Sequence, residues 1–116
     1  MLEFRKANLF DIEAEAYVNP VNCVGVMGKG IALEFKKRYP KNFDKYKEAC
    51  SRNLIQPGGC WTYLEPPYII NVATKDHWKN PSEIKWIEKG LLLIKAAMEL
   101  HSISSVALPK IGCGLS

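Results

Sequence analysis

Val18-Asn19-Pro20-Val21-Asn22-Cys23-Val24-Gly25-Val26-Met27-Gly28-Lys29-Gly30-Ile31-Ala32 runs from the end of a β-branched strand, through a glycine-rich turn, straight into a helix. Glycines at 25, 28 and 30 allow positive φ and a close approach of backbone to ligand. The N–H groups left unpaired at the start of the following helix point at whatever sits there. An anion, most often a phosphate, is the natural occupant. Two common phosphate fingerprints do not fit. Gly30 follows Lys29 where G-x-x-x-x-G-K-[ST] needs a hydroxyl, and Leu33 stands at the third glycine of G-x-G-x-x-G. A Walker ATPase and a Rossmann dehydrogenase are therefore poor readings.

Outward from this loop, strand and helix patterns alternate, which favours an α/β layered sheet. Leu2 to Lys6 and Glu15 to Asn19 read as short strands joined by the Ala7 to Glu13 turn. Ile31 and Phe35, then Phe43, Tyr46 and Cys50, fall at helical spacings on two helices separated by Pro40. Trp61 to Leu64 and Tyr68 to Ala73 read as strands split by Pro66-Pro67. The second is an apolar run, as expected of a strand buried on both faces. A long helix opens with Asn80 as N-cap, Pro81 at its first position and Glu83 closing a capping box. Ile84, Ile87, Leu91, Ile94 and Met98 form its apolar stripe, and Ser105 to Leu108 is the last strand.

The 116 residues suit one domain, and 47% hydrophobic with 24% charged residues is ordinary globular composition. No stretch approaches the roughly 18 apolar residues of a membrane span. Met1-Leu2-Glu3-Phe4-Arg5-Lys6 is too charged for a secretory signal. Cysteines 23, 50, 60 and 113 contain no C-x-x-C pair, and two histidines make no zinc cluster, so neither a metal nor a cofactor is expected. A reducing cytoplasm is the simplest home. The net charge of +4 gathers in Lys36-Lys37-Arg38, Lys41, Lys45 and Lys47. Such a run reads equally as a solvated helix surface or as a face attracting nucleic acid.

Three loops follow strands: Asn22 to Gly30, Thr74 to Trp78 and Lys110 to Ser116. Ligands in open α/β sheets gather at the carboxyl ends of strands, so these loops are expected to form one cleft. The Asn22 amide can donate to and accept from hydroxyls. Asn19 reads as a turn cap or a ligand contact. His77, without a visible partner, reads as packing or as binding a substrate backbone, and Trp78 as a stacking platform for a base or as core.

The stretch from Asn19 to Lys36 resembles loop 1 of the macro domain, the ADP-ribose-binding family. The likeness is greatest to the branch of the DarG-type DNA ADP-ribosyl glycohydrolase antitoxins and the human terminal ADP-ribose glycohydrolase. It resumes at Ile69-Ile70-Asn71-Val72-Ala73-Thr74-Lys75-Asp76-His77-Trp78 and at Ala107-Leu108-Pro109-Lys110-Ile111-Gly112-Cys113-Gly114-Leu115, which resembles loop 2. The resemblance implies a three-layer α/β/α fold with a mixed central sheet. It also implies continuation past loop 2, so that residues 1–116 read as a single macro domain incomplete at its carboxyl end, the last helix and strand missing.

For the site, the resemblance implies ADP-ribose held by Val24, Gly25, Val26, Met27, Gly28, Lys29, Gly30 and Ile31 of loop 1. Pro109, Ile111, Gly112, Cys113, Gly114 and Leu115 of loop 2 would cradle the diphosphate. Asn8 and Leu9 would lie at the adenine, and Asn19, Asn22 and Thr74 at the ribose side. Lys75, with Asn22, is the implied catalytic pair. An amine beside the apolar strand end Val72-Ala73 is a usable nucleophile at C1″ of the distal ribose. The implied partners are ADP-ribosylated single-stranded DNA, touched by His77 and Trp78, and a cognate ADP-ribosyltransferase toxin. Protein-linked ADP-ribose, an ADP-ribose phosphate metabolite and a non-catalytic reader are the alternatives. Two positions depart from the family: Asn8 stands where many members carry aspartate, and Ser116 where the human branch has an aspartate that resolves the lysine adduct.

Overall fold

The computed structural model describes residues 9–109. The expected strand at Leu2 to Lys6 lies outside them. A short 3-10 turn, Leu9–Asp11, precedes β1 (Ala16–Val21), followed by α1 (Gly30–Arg38) and α2 (Pro40–Ser51). Next come β2 (Cys60–Tyr63), β3 (Tyr68–Ala73), α3 (Ile84–Leu100) and β4 (Val106–Ala107). The strands form one mixed sheet in the order β2-β3-β1-β4. β1 pairs in parallel with β3, from Ala16 opposite Tyr68 to Val21 opposite Ala73, and with β4 through Ala16 and Tyr17. β2 runs antiparallel to β3.

Side-chain alternation sorts the sheet into two faces. Val21, Ile69, Ala73 and Ala107 pack with Phe35, Tyr46 and Ala49 of α1 and α2. Ala16, Val18, Ile70, Val72 and Val106 pack with Ile94 of α3 and Ile103. The chain leaves β1 toward β3 through α1 and α2, then returns across β1 to β4 through α3. Opposite directions of travel with right-handed crossovers put the helices on opposite faces, giving three layers. The carboxyl end of β1, where the direction reverses, is where such sheets open to a ligand.

β1 extends two residues beyond the expected Asn19, to Val21. Pro20 fits because Val21 turns its carbonyl to β3, accepting from the Thr74 amide at 3.1 Å. Neighbouring residues in a strand alternate sides, so the position lacking an N–H faces the β4 side, beyond the last β4 pair at Tyr17.

α3 departs from its expected start and stripe. It begins at Ile84 with Glu83 as an extended N-cap that makes no side-chain cap bond. The Asn80 amide instead donates to Asp76 at 3.0 Å, which keeps residues 76–80 in a separate turn. Ile84 is 74% and Leu91 41% exposed, while Gly90 and Ile94 are buried. A Cβ on Gly90 would sit 2.5 Å from a Val72 methyl, so the helix turns its bare glycine to the sheet and rotates Leu91 away.

Candidate ligand cleft

Loop 1 is shaped by Asn22. Its Oδ1 accepts from the amides of Val24 at 3.0 Å and Val26 at 3.4 Å, and its Nδ2 donates to the Val26 carbonyl at 2.9 Å. The Tyr46 hydroxyl approaches Asn22 Oδ1 at 2.8 Å and its carbonyl at 2.9 Å, holding the loop to α2. Burial pushes that phenol far above its ordinary range, so it stays a donor. The tight turn this imposes needs positive φ at Gly25 (87°), and Gly30 (61°) turns the chain into α1. Gly28 has the same freedom but is not among the glycines with positive φ. The reversal is complete at Gly25, and Gly28 is exposed with only a Val26 methyl, at 3.5 Å, near its would-be Cβ.

Cys23 joins this loop to the one after β3. Its amide donates to the Asp76 carbonyl at 3.1 Å, and its thiol lies 3.5 Å from the Lys75 carbonyl. Burial, with smaller contributions from Cys50 and Asp76, raises the thiol to about 11, so it keeps the proton that it donates. Asp76 in turn accepts from the His77 amide at 2.7 Å and from Asn80, hydrogen bonds that hold its carboxyl below the ordinary range.

Between the two loops lies a cleft of about 290 Å³. It is lined by Pro20, Val21 and Asn22 from the end of β1, Val26, Gly28, Lys29 and Ala32 from loop 1 and the start of α1, and Lys75 and Trp78 from the loop after β3. Its charged lining residues are Lys29 and Lys75, and no carboxylate residue is among them. A cavity with two cations, exposed glycine backbone and mostly apolar walls suits a phosphate-bearing ligand with a large organic part. Among the described residues, no group of three or more His, Cys, Asp or Glu side chains could hold a metal.

Of the residues expected at a site, Asn22, Val26, Gly28, Lys29, Lys75 and Trp78 come together here. Val24 is exposed beside them, and Gly30 opens α1 at the edge of loop 1. Gly25 is buried against Lys47 and Cys50. Met27 and Leu9 are core, and Ile31 packs against the same cluster. Asn19 is fully buried in β1, its amide donating to Asn71 Oδ1 at 3.1 Å and lying 3.8 Å from the Met27 sulfur. Thr74 is 1% exposed, and its backbone amide rather than its hydroxyl is engaged. His77 bonds the Lys79 amide through Nδ1. Pro109 is the last described residue, and Asn8, Ile111, Gly112, Cys113, Gly114 and Leu115 lie outside the described residues. The basic residues 36–38, 41, 45 and 47 are all exposed, with Arg38 paired to Glu34 at 3.6 Å and Lys36 over the Phe43 ring.

Tyr46 and Cys23 were not singled out for this role. Each acts through two contacts made across a long stretch of chain, for which spacing gives no signal.

A mixed-sheet α/β/α module with a glycine-rich loop after β1 and a lysine-bearing loop after β3 belongs to the class of layered α/β folds that open to ligands at the carboxyl ends of their strands. The macro domain family model matches residues 18–116, and the chain belongs to the macro domain family. It is 42% identical over 98% of its length to a DNA ADP-ribosyl glycohydrolase of Thermus aquaticus, and it spans about a third (33%) of that relative. Among solved structures it is similar to the macrodomain of Thermus aquaticus DarG (TM-score 0.92, 43% identity, 98% of this chain and 79% of that one). It is also similar to Thermosipho africanus DarTG in complex with ADP-ribose (TM-score 0.87, 32% identity, 95% of this chain and 33% of that one). No helix among the described residues is long and apolar enough to cross a membrane.

Proposed function

We propose that the chain binds ADP-ribose in this cleft and hydrolyses the bond between mono-ADP-ribose and a DNA base, thymidine in single-stranded DNA. In this reading it is the antitoxin to a DNA ADP-ribosyltransferase, acting in a reducing cytoplasm. The observation that carries the reading is Lys75 lining the same cleft as loop 1 and Lys29. A diphosphate beside loop 1 meets exposed backbone and the Lys29 ammonium, which leaves Lys75 for the ribose end. Loop 2, Pro109 to Leu115, would complete the diphosphate cradle, and Asn8 with Leu9 would meet the adenine. The similarity to proteins named DNA ADP-ribosyl glycohydrolase supports the choice of a DNA substrate.

Lys75 is assigned to C1″ of the distal ribose, where it supplies electron density as the glycosidic bond breaks. The base leaves with the bonding electrons and takes a proton, and water supplies the hydroxyl that ends on ADP-ribose. Asn22 is assigned chiefly to holding loop 1 in shape, since its amide is already bonded to Val26 and Tyr46. Cys23 fixes the backbone from which Lys75 projects.

The test is release of ADP-ribose from a single-stranded oligonucleotide ADP-ribosylated on thymidine, by the native chain and by Lys75→Ala. Native release with loss of about 100-fold or more in the variant, ADP-ribose binding being retained, is the expected result. Equal release by both would remove Lys75 from catalysis. No release by either would transfer the cleft to a protein-linked ester or to a reader role.

A further inference from the structure

Trp78 is the largest side chain lining the cleft, yet it is 46% exposed and belongs to neither core. Its backbone is nevertheless tightly fixed. Within residues 76–80, the His77 amide donates to Asp76 Oδ1, Asn80 Nδ2 donates to the same oxygen, the Asn80 amide donates to the His77 carbonyl, and the Lys79 amide donates to His77 Nδ1. A short turn with this many internal bonds holds an indole beside the cleft rather than under a core. The Lys79 ammonium stands 5.1 Å from the indole centroid, and the His77 ring lies 5.2 Å away, tilted by 31°. A cation over the ring is held there by the ring quadrupole. It also offers a charge to any phosphate next to a stacked base.

We infer that Trp78 is the subsite for the nucleobase that carries ADP-ribose, and the residue that makes the cleft prefer a nucleobase-linked substrate to an amino-acid-linked one. The inference rests on the cleft being an ADP-ribose site. Lys75 and Trp78 lie three residues apart in the segment after β3 and line the same cleft. A group joined to the ribose carbon that Lys75 addresses therefore emerges beside the indole. A thymine ring stacks on it, with the Lys79 ammonium near the adjoining phosphate. A glutamate side chain has no π-face to offer.

The experiment is equilibrium binding with Lys75→Ala, used to suppress turnover, and with Lys75→Ala/Trp78→Ala. Three probes are compared: free ADP-ribose, a single-stranded oligonucleotide ADP-ribosylated on thymidine, and a peptide ADP-ribosylated on glutamate. Loss of the indole is expected to weaken the oligonucleotide about tenfold or more, the scale of one base–aromatic stack. The other two probes should lose distinctly less than the oligonucleotide, and their retained binding reports that the variant is folded. Trp78→Phe, retaining a ring, should recover most of the oligonucleotide affinity. Equal losses for all three probes, no loss for the oligonucleotide, or an oligonucleotide bound no better than free ADP-ribose would each overturn the assignment. Failure of the hydrolytic reading is separately visible: the native chain would release no ADP-ribose from the oligonucleotide while the binding preference stood.

Discussion

Against α1 and α2 the sheet turns Asn19 and Asn71 inward, whereas against α3 it offers Ala16, Val18, Ile70 and Val72. On the first face the asparagines are fully buried and tied to one another. Asn71 Nδ2 donates to Asn42 Oδ1 of α2 at 2.9 Å and to the Trp61 carbonyl at 3.1 Å, while its Oδ1 accepts from Asn19 and Asn42. On the second face the closest fit is one of shape, with Gly90 laid on Val72 and only the Cys60 thiol reaching its carbonyl, at 3.9 Å. Hydrogen bonds have direction and dispersion does not. The directional face is the one that carries loop 1, through Tyr46 and Asn22. Orientation is thus concentrated where a ligand must be met, and the aliphatic face contributes mainly stability.

The largest effect should come from Ile70→Ala on the aliphatic face. Deleting this fully buried side chain is expected to cost about 3 kcal/mol in denaturant unfolding. ADP-ribose affinity of the folded fraction should be unchanged, and a parallel fall in affinity would erase the distinction between the faces. Asn71→Ala on the other face removes the oxygen that the Asn19 and Asn42 amides share and the donor to Asn42 Oδ1, at about 2 kcal/mol. Here calorimetry should also record weaker ADP-ribose binding, because α2 is then free to shift under loop 1.

Tyr46→Phe sharpens the same point with a smaller change. About 1 kcal/mol of stability is expected to go with the hydroxyl, yet affinity should fall more than after Ile70→Ala. The smallest effect, none at neutral pH, concerns one thiol from each side. Burial raises Cys60 to about 12 and Cys23 to about 11 from an ordinary 9.0. Their folded pKa values lie above the unfolded one, so this contribution is whole below pH 9 and is lost as the pH rises through those values. Cys60→Ala should flatten the alkaline fall in unfolding free energy, and an unaltered slope would show that another group governs it.

Much of this architecture was legible from residue pattern. The apolar run Tyr68 to Ala73 is β3 to the residue, and Pro40 divides α1 from α2 as its lack of an N–H requires. The two loops that meet at the cleft were legible because each follows a strand. The asparagine network was not, since positions 19, 42 and 71 become neighbours only once β1, α2 and β3 have packed. Its single sequence cue was a polar residue at an inward position of each of two otherwise apolar strands. The helical stripe of α3 misled because apolar spacing cannot foresee that a glycine will be the point of closest approach. Asn80 was legible as a cap, but its side-chain NH2 donates to Asp76 and the helix begins only at Ile84, with Glu83 in the cap position.

Pro20 has a bearing on misassembly. Among the described residues the register of β1 with β4 ends at Tyr17, and a stretch of strand without a neighbour invites a foreign one to zip alongside. At Pro20 an intruding strand would find an acceptor but no donor, and the ladder would break after one rung. Pro20 thus ends the ladder on that side of β1 at the cleft it helps to line.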